Sequence, residues 1–198
     1  MTRKRDTARP SARKRIFDTA SELFYRNGIR AVGIDAIAAR ADTTKMSLYR
    51  SFSSKDELVA EWLRDHDTRF WQTWDAMSEK YPGEARKQLQ AAFGMLAKHV
   101  SDPGARGCPM ANAAVEITDK EHPARQVIEA HKAKLRTRLA ELCQGTGTPE
   151  PALLADQLFL LMEGAQVSTV LGVQIPARNA TSAAEALIDS HLQSRRRA

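Results

Sequence analysis

Three short runs of apolar residues at helical spacing, punctuated by a glycine and then by a polar turn, constrain this chain more than any other feature. They lie between Ala12 and Leu58. The first helix is expected over Ser11 to Asn27, because Ile16, Ala20, Leu23 and Phe24 recur on one face and Gly28 stands where a helix stops. The second is expected over Ile34 to Ala41, turning Ile37, Ala38 and Ala41 inward. Asp42, Thr43 and Thr44 make the turn, and a third helix, Lys45 to Ser51, follows with Leu48 and Phe52 facing inward. Ser54 and Glu57 have the spacing of a capping box, in which the Ser oxygen and the Glu carboxylate satisfy unpaired amides at a helix start, so a fourth helix begins there.

Helical spacing continues to the end of the chain, and no period-two run competes with it. The fourth helix runs through Leu58, Trp62, Phe70, Trp74 and Met77 until Pro82 and Gly83 break it. Further helices are expected near Glu84 to Val100, Pro109 to Thr118, Pro123 to Leu142, Pro151 to Leu171 and Thr181 to Ser194. Loops fall at Asp102 to Gly107 and over Gly145, Thr146, Gly147, Thr148 and Pro149. The fold class is therefore all-α, with about nine helices. A reading head over residues 10–58 is followed by a larger helical domain over residues 59–198.

Charge is concentrated at one end. Residues 1–15 carry Arg3, Lys4, Arg5, Arg9, Arg13, Lys14 and Arg15 against Asp6 alone, which equals the net charge of +6 for the whole chain. A basic arm ahead of such a head suits phosphate neutralisation, since each neutralised phosphate releases condensed counterions; a solvated tail has the same composition. No stretch approaches the roughly 18 apolar residues of a membrane span, and the N-terminus lacks a leader pattern, so a cytoplasmic protein is expected. Cys108 and Cys143 have neither metal-like nor redox-like spacing. The histidines show no H-E-x-x-H pattern, and Gly-rich phosphate loops and nucleophile elbows are missing, so neither catalysis nor a cofactor is expected.

A helix that reads DNA needs a capped start, a rigid apolar back and polar or small side chains facing outward. Thr44 supplies the cap, and Lys45, Met46, Ser47, Tyr49 and Arg50 are left on the outward or flanking positions. Taken together, Ile16, Ala20, Leu23, Phe24, Gly28, Ile37, Ala38, Ala41, Thr44, Lys45, Leu48, Tyr49, Phe52, Ser54, Lys55, Glu57 and Leu58 resemble the tetracycline-repressor (TetR) family of bacterial transcription regulators. The resemblance implies that Thr44 and Tyr49 touch the DNA backbone, that Lys45, Met46 and Ser47 face the major groove, and that Lys55 holds a phosphate. Two positions depart from the family pattern. Asp42 stands where Gly is common, which a tight left-handed turn tolerates, and Gly33 replaces a Thr or Ser that could reach a phosphate.

One such helix covers too few base pairs, so a palindromic operator bound by a homodimer is expected. The helix near Pro151 to Leu171 is apolar around much of its circumference and must be covered on several sides; the resemblance implies that it pairs with the last helix and with their copies in a second subunit. The resemblance also implies an aromatic-lined effector cavity, for which Trp62, Phe70, Trp74, Met110, Glu116, Met162 and Gln166 are the candidate lining. Trp71 lies on the same helix, and an aromatic stripe at helical spacing is also what plain core looks like. Cys108, ahead of Pro109 at a helix start, is a candidate thiol sensor or a buried inert cysteine. Two binding functions follow: a regulator whose small-molecule effector releases it from its operator, acting as a repressor as is usual in the family, and an architectural DNA binder without small-molecule input.

Overall fold

The computed structural model describes residues 9–173 and 177–194, so Arg3, Lys4, Arg5 and Asp6 of the basic arm, and Arg195 to Arg197, lie outside the described residues. Among the described residues there are nine helices and no strands. They are α1 (Ala12–Asn27), α2 (Ile34–Arg40), α3 (Lys45–Ser51), α4 (Lys55–Ser78), α5 (Ala85–Val100), α6 (Pro109–Glu116), α7 (Pro123–Gly145), α8 (Pro151–Val170) and α9 (Ala177–Ser194).

Two apolar cores form, and α4 runs through both. Its 24 residues give it a length of about 36 Å, enough to reach from one to the other. The first core gathers Ile16, Ala20 and Phe24 of α1, Ile37 of α2 and Leu48 of α3 around Leu58, Val59 and Trp62 at the start of α4. It also takes in Met110 and Ala113 of α6, and Ala124 and Ile128 at the start of α7. Packing therefore crosses the expected division at residues 58 and 59. The second core joins Trp71 and Trp74 to Leu89 and Phe93 of α5, Leu135 and Leu139 of α7, Leu154 and Leu158 of α8, and Ala184 and Ile188 of α9.

The turn chemistry differs from expectation in two instructive places. Gly145 is the last residue of α7, not the start of the loop, and the left-handed residue is Gly147, at φ 74°. A Cβ on Gly145 would stand 2.9 Å from the Cβ of Ala85, so glycine there permits close approach of α7 to the start of α5. α9 begins at Ala177 rather than Thr181. No described helix is long and apolar enough to cross a membrane.

Candidate nucleic-acid interface

The turn between α2 and α3 is built as its residues require. Thr44 caps α3 by accepting the Ser47 amide at 3.1 Å, and Asp42 holds the left-handed backbone at φ 50°. Gly33 starts α2 with no side-chain cap, consistent with the missing hydroxyl. Leu48 is fully buried and Phe52 nearly so, whereas Met46 is 73% and Tyr49 48% exposed on the opposite side. Thr44, Lys45 and Arg50 are exposed and Ser47 half-buried, so six of the seven residues expected to meet DNA share the outward part of one short helix and its cap, Lys55 standing at the start of α4. In the free protein, Lys45 lies 3.3 Å from the Asp35 carboxylate, an exposed pair that another contact can replace at little cost.

Much of the described basic arm serves the head itself. Arg15 donates to the carbonyls of Ala41 at 3.0 Å and Asp42 at 3.0 Å, orphan acceptors at the end of α2 and in the turn, and to that of Pro10, ahead of α1, at 2.9 Å. Arg13 lies 4.2 Å over the Phe52 ring, donates to the Ser51 carbonyl at 2.9 Å and grips Glu61 of α4 at 2.7 Å and 2.8 Å. Arg9 pairs with Asp42. These arginines brace the end of α2 and α3 against α1 and α4, an intramolecular role that the charge count alone does not reveal. Arg15→Ala should lower the unfolding free energy by about 1–2 kcal/mol in denaturant titration, since charge-assisted bonds to orphan carbonyls are lost from a partly exposed site.

Two expected contacts have other partners. Lys55, expected at a phosphate, donates to the Ile29 carbonyl at 2.6 Å; burial lowers its ammonium below the usual lysine value, opposed by the charges of Asp56 and Glu116. Glu116, expected in an effector cavity, accepts the amides of Ile29 at 3.0 Å and Arg30 at 2.8 Å. In the capping box, Ser54 accepts the Glu57 amide at 3.0 Å as expected, while the Glu57 carboxylate turns outward to Arg64 at 2.8 Å.

The remaining candidate cavity residues divide between the cores. Trp62 packs on Phe24 at 5.6 Å between ring centroids and shares the first core with Met110. Phe70, Trp74 and Met162 belong to the second, and Gln166 is half-buried on α8, its backbone carbonyl against Gly107. The seven therefore do not enclose one space. A surface cleft of about 510 Å³ lies between α1 and α4 beside Arg13, Asp18, Glu61 and Arg69. Another, of about 330 Å³, lies beside Trp74, Asp75, Arg138 and Glu141.

Between the helices of the larger domain, the structure assembles a polar cluster that local spacing did not reveal. Asp67 Oδ1 lies 2.7 Å from His131 Nδ1 and accepts the Trp71 indole N–H at 2.7 Å. Burial lowers the imidazole of His131, against the opposing hydrogen bond and charge of Asp67. His66, with its ring centroid 6.3 Å from that of His131, is pushed down to about 4, first by burial and then by His131, Arg69 and His99. Nearby, Lys132 binds Glu163 at 2.5 Å and approaches the buried Cys108 sulfur at 3.4 Å. Cys143, also a free thiol, is pushed up to about 12 by burial. The sequence pattern could not pair His131 with Asp67, because the two lie 64 positions apart.

Comparison with known proteins places this geometry. Residues 16–62 match the bacterial regulatory proteins of the tetR family, and residues 83–184 match the tetracyclin repressor-like C-terminal domain. The HTH-type transcriptional regulator YjdC of Escherichia coli is 24% identical over 154 residues, covering 77% of this chain and 80% of that protein. The HTH-type transcriptional activator FasR of Mycolicibacterium smegmatis is 43% identical over 58 residues, which are 29% of this chain and 26% of that one. A TetR-family transcriptional regulator from Streptomyces coelicolor, solved as a crystal structure, superposes with a TM-score of 0.82 at 30% identity, covering 92% of this chain and 95% of the other. With both parts of the chain matched, this protein is a DNA-binding transcriptional regulator of the TetR family, not an enzyme.

Proposed function

We propose that the protein works as a homodimer that grips a palindromic operator with two copies of α3, represses transcription there, and is released by a small-molecule effector. The observation that carries DNA reading is the division of α3 into a fully buried Leu48 side and a face on which Met46 is 73% exposed. Thr44 and Tyr49 contact the phosphate backbone, Lys45, Met46 and Ser47 meet base edges, and Arg50 flanks them. The intramolecular bond of Lys55 to Ile29 leaves the phosphate role to its neighbours.

Pairing is supported by α8, whose side away from the second core keeps Leu153 46%, Leu160 69%, Val167 46% and Leu171 70% exposed. Their spacing of seven, seven and four residues makes one stripe along the helix. Gly164 lies beside that stripe with open space where a Cβ would stand, which suits close approach of a second helix. Covering the stripe with its copy, flanked by α9, removes an apolar surface that a monomer would leave in water.

Effector release is a matter of differential affinity: a molecule that binds better to one spacing of the two heads shifts the population toward it. α4 is the lever, since the head core and the sensor core both close on it. The aromatic and histidine cluster of Trp71, Phe70 and His131 supports an effector site near the middle of that lever.

The deciding experiment is a gel shift on DNA flanking the protein's own gene, with any palindrome there scrambled as control. Tyr49→Ala should weaken binding to all sequences about tenfold and leave its salt dependence unchanged, because a neutral phenol neutralises no phosphate, while Lys45→Ala and Ser47→Ala should change which operator bases are preferred. Equal affinity and preference across all three would remove α3 from the interface. A compound that raises the melting temperature and also weakens the shift supports effector control; DNA binding untouched by every stabilising compound speaks for an architectural protein.

A further inference from the structure

α6 is eight residues long, yet both its flanks are tied to α1. Ahead of it, the Tyr25 hydroxyl accepts the Arg106 amide at 2.7 Å and donates to the Gly107 carbonyl at 3.3 Å. At its far end, Glu116 accepts the amides of Ile29 at 3.0 Å and Arg30 at 2.8 Å, and Lys55 of α4 donates to the carbonyl of Ile29 at 2.6 Å. The turn that leaves α1 is thus held on its N–H side by an acid from α6 and on its C=O side by a base from α4. Gly28, at φ 87°, makes room for this: a Cβ there would stand 3.0 Å from the Glu116 carboxylate.

A carboxylate bound to two successive amides has a fixed direction as well as a position. Apolar contact alone among Phe24, Met110 and Ala113 tolerates small sliding, whereas a two-point clamp resists it. The other face of the same segment touches the larger domain. Gly107, at φ 65°, lies against the backbone of Gln166 on α8 so closely that a Cβ would stand 2.6 Å from its carbonyl oxygen, and Cys108 lies 3.4 Å from Lys132 of α7. A displacement of α7 or α8 therefore reaches α1 through a segment clamped at each end.

Resting on the reading of the protein as a dimeric operator binder, we propose that Glu116 and Lys55 are positioning residues that fix the angle of each reading head on the body of the molecule. They thereby select the half-site spacing the dimer accepts. Neither side chain touches DNA in this role. What they determine is the geometry in which α3 is offered, so their loss should blur spacing and leave base preference intact.

The test uses the full-length protein and operators that differ only in the number of base pairs between half-sites, read by fluorescence anisotropy together with an isolated half-site. The wild type should show a sharp optimum. Glu116→Ala should reduce the ratio between best and neighbouring spacings by about tenfold, the scale of a typical coupling energy, with half-site affinity unchanged. Glu116→Gln, which keeps one acceptor oxygen, should fall between them. An unchanged spacing ratio in Glu116→Ala overturns the assignment while leaving operator binding intact; absence of any sequence preference in the wild type overturns operator binding and the assignment with it. A DNA-free measurement covers the case in which Glu116→Ala folds poorly. Hydrogen exchange at the Ile29 and Arg30 amides should be slow in the wild type and faster in Glu116→Gln. Equal exchange in the two proteins counts against the clamp.

Discussion

Leu160→Arg is expected to turn the proposed dimer into a monomer and to reduce operator affinity on the order of a thousandfold, about 4 kcal/mol. Leu160 is 69% exposed on α8, midway along the stripe that runs from Leu153 to Leu171. In a two-fold interface any substitution enters twice, so two guanidiniums are brought onto a surface otherwise made of leucine and valine. An unpaired charge desolvated in such a place costs several kcal/mol, which is comparable to what a modest dimer interface supplies. The protomer should keep its helices, because this side chain faces away from both cores. Light scattering should then give about 22 kDa, the mass of one chain, and circular dichroism an unchanged helical spectrum. Anisotropy should show the residual binding of a single half-site, with a shallower salt dependence because fewer phosphates are neutralised. A Leu160→Arg protein that remains dimeric and binds its operator normally would place the interface elsewhere.

What could be read before the structure was local. The cap at Thr44, the left-handed turn at Asp42 and the stop at Gly28 each follow from a residue's own backbone preference and its immediate neighbours, and all three appear where expected. The apolar backs of α1, α2 and α3 were equally legible, because burying one face leaves a period in the sequence. Contacts between distant segments left no such trace. Arg15 could have met a phosphate as readily as the carbonyl of Ala41, which lies 26 positions away. Glu116 looked like a polar group lodged among apolar residues, and only the path of α6 past the end of α1 shows that backbone amides 86 and 87 positions away are its partners. Gly145 sits in a Gly-Thr-Gly-Thr-Pro run that reads as a loop, yet its missing side chain serves a helix contact with Ala85. The aromatic residues of α4 follow the same logic. Their spacing announced a buried stripe, but not that Trp62 would join one core and Trp74 another.

Acid should loosen the larger helical domain, and His66 is the residue through which most of that effect is expected to pass. Its imidazole is held down to about 4, chiefly by burial and then by His131, Arg69 and His99, with Asp67 opposing them. In the unfolded chain it titrates near 6.5. The folded state therefore binds fewer protons than the unfolded state between these two values. Stability is intact above about pH 6.5 and declines as the pH falls through 6.5 toward 4. Integrated over that window, the single group accounts for about 3 kcal/mol between pH 7 and pH 4, a large part of a domain's usual reserve. His131 shifts in the same direction and should add a smaller share, because its bond to Asp67 favours the charged form and offsets part of the burial. Urea unfolding at matched protein concentration, compared at pH 7 and pH 4.5, should show wild type losing about 2 kcal/mol more than His66→Gln. Parallel losses in the two proteins would mean that His66 is not held neutral. The location gives the effect a direction within the molecule. His66 and Asp67 are on α4 and His131 is on α7, so a proton added here strains the contact between the lever and the helix that leads to α8.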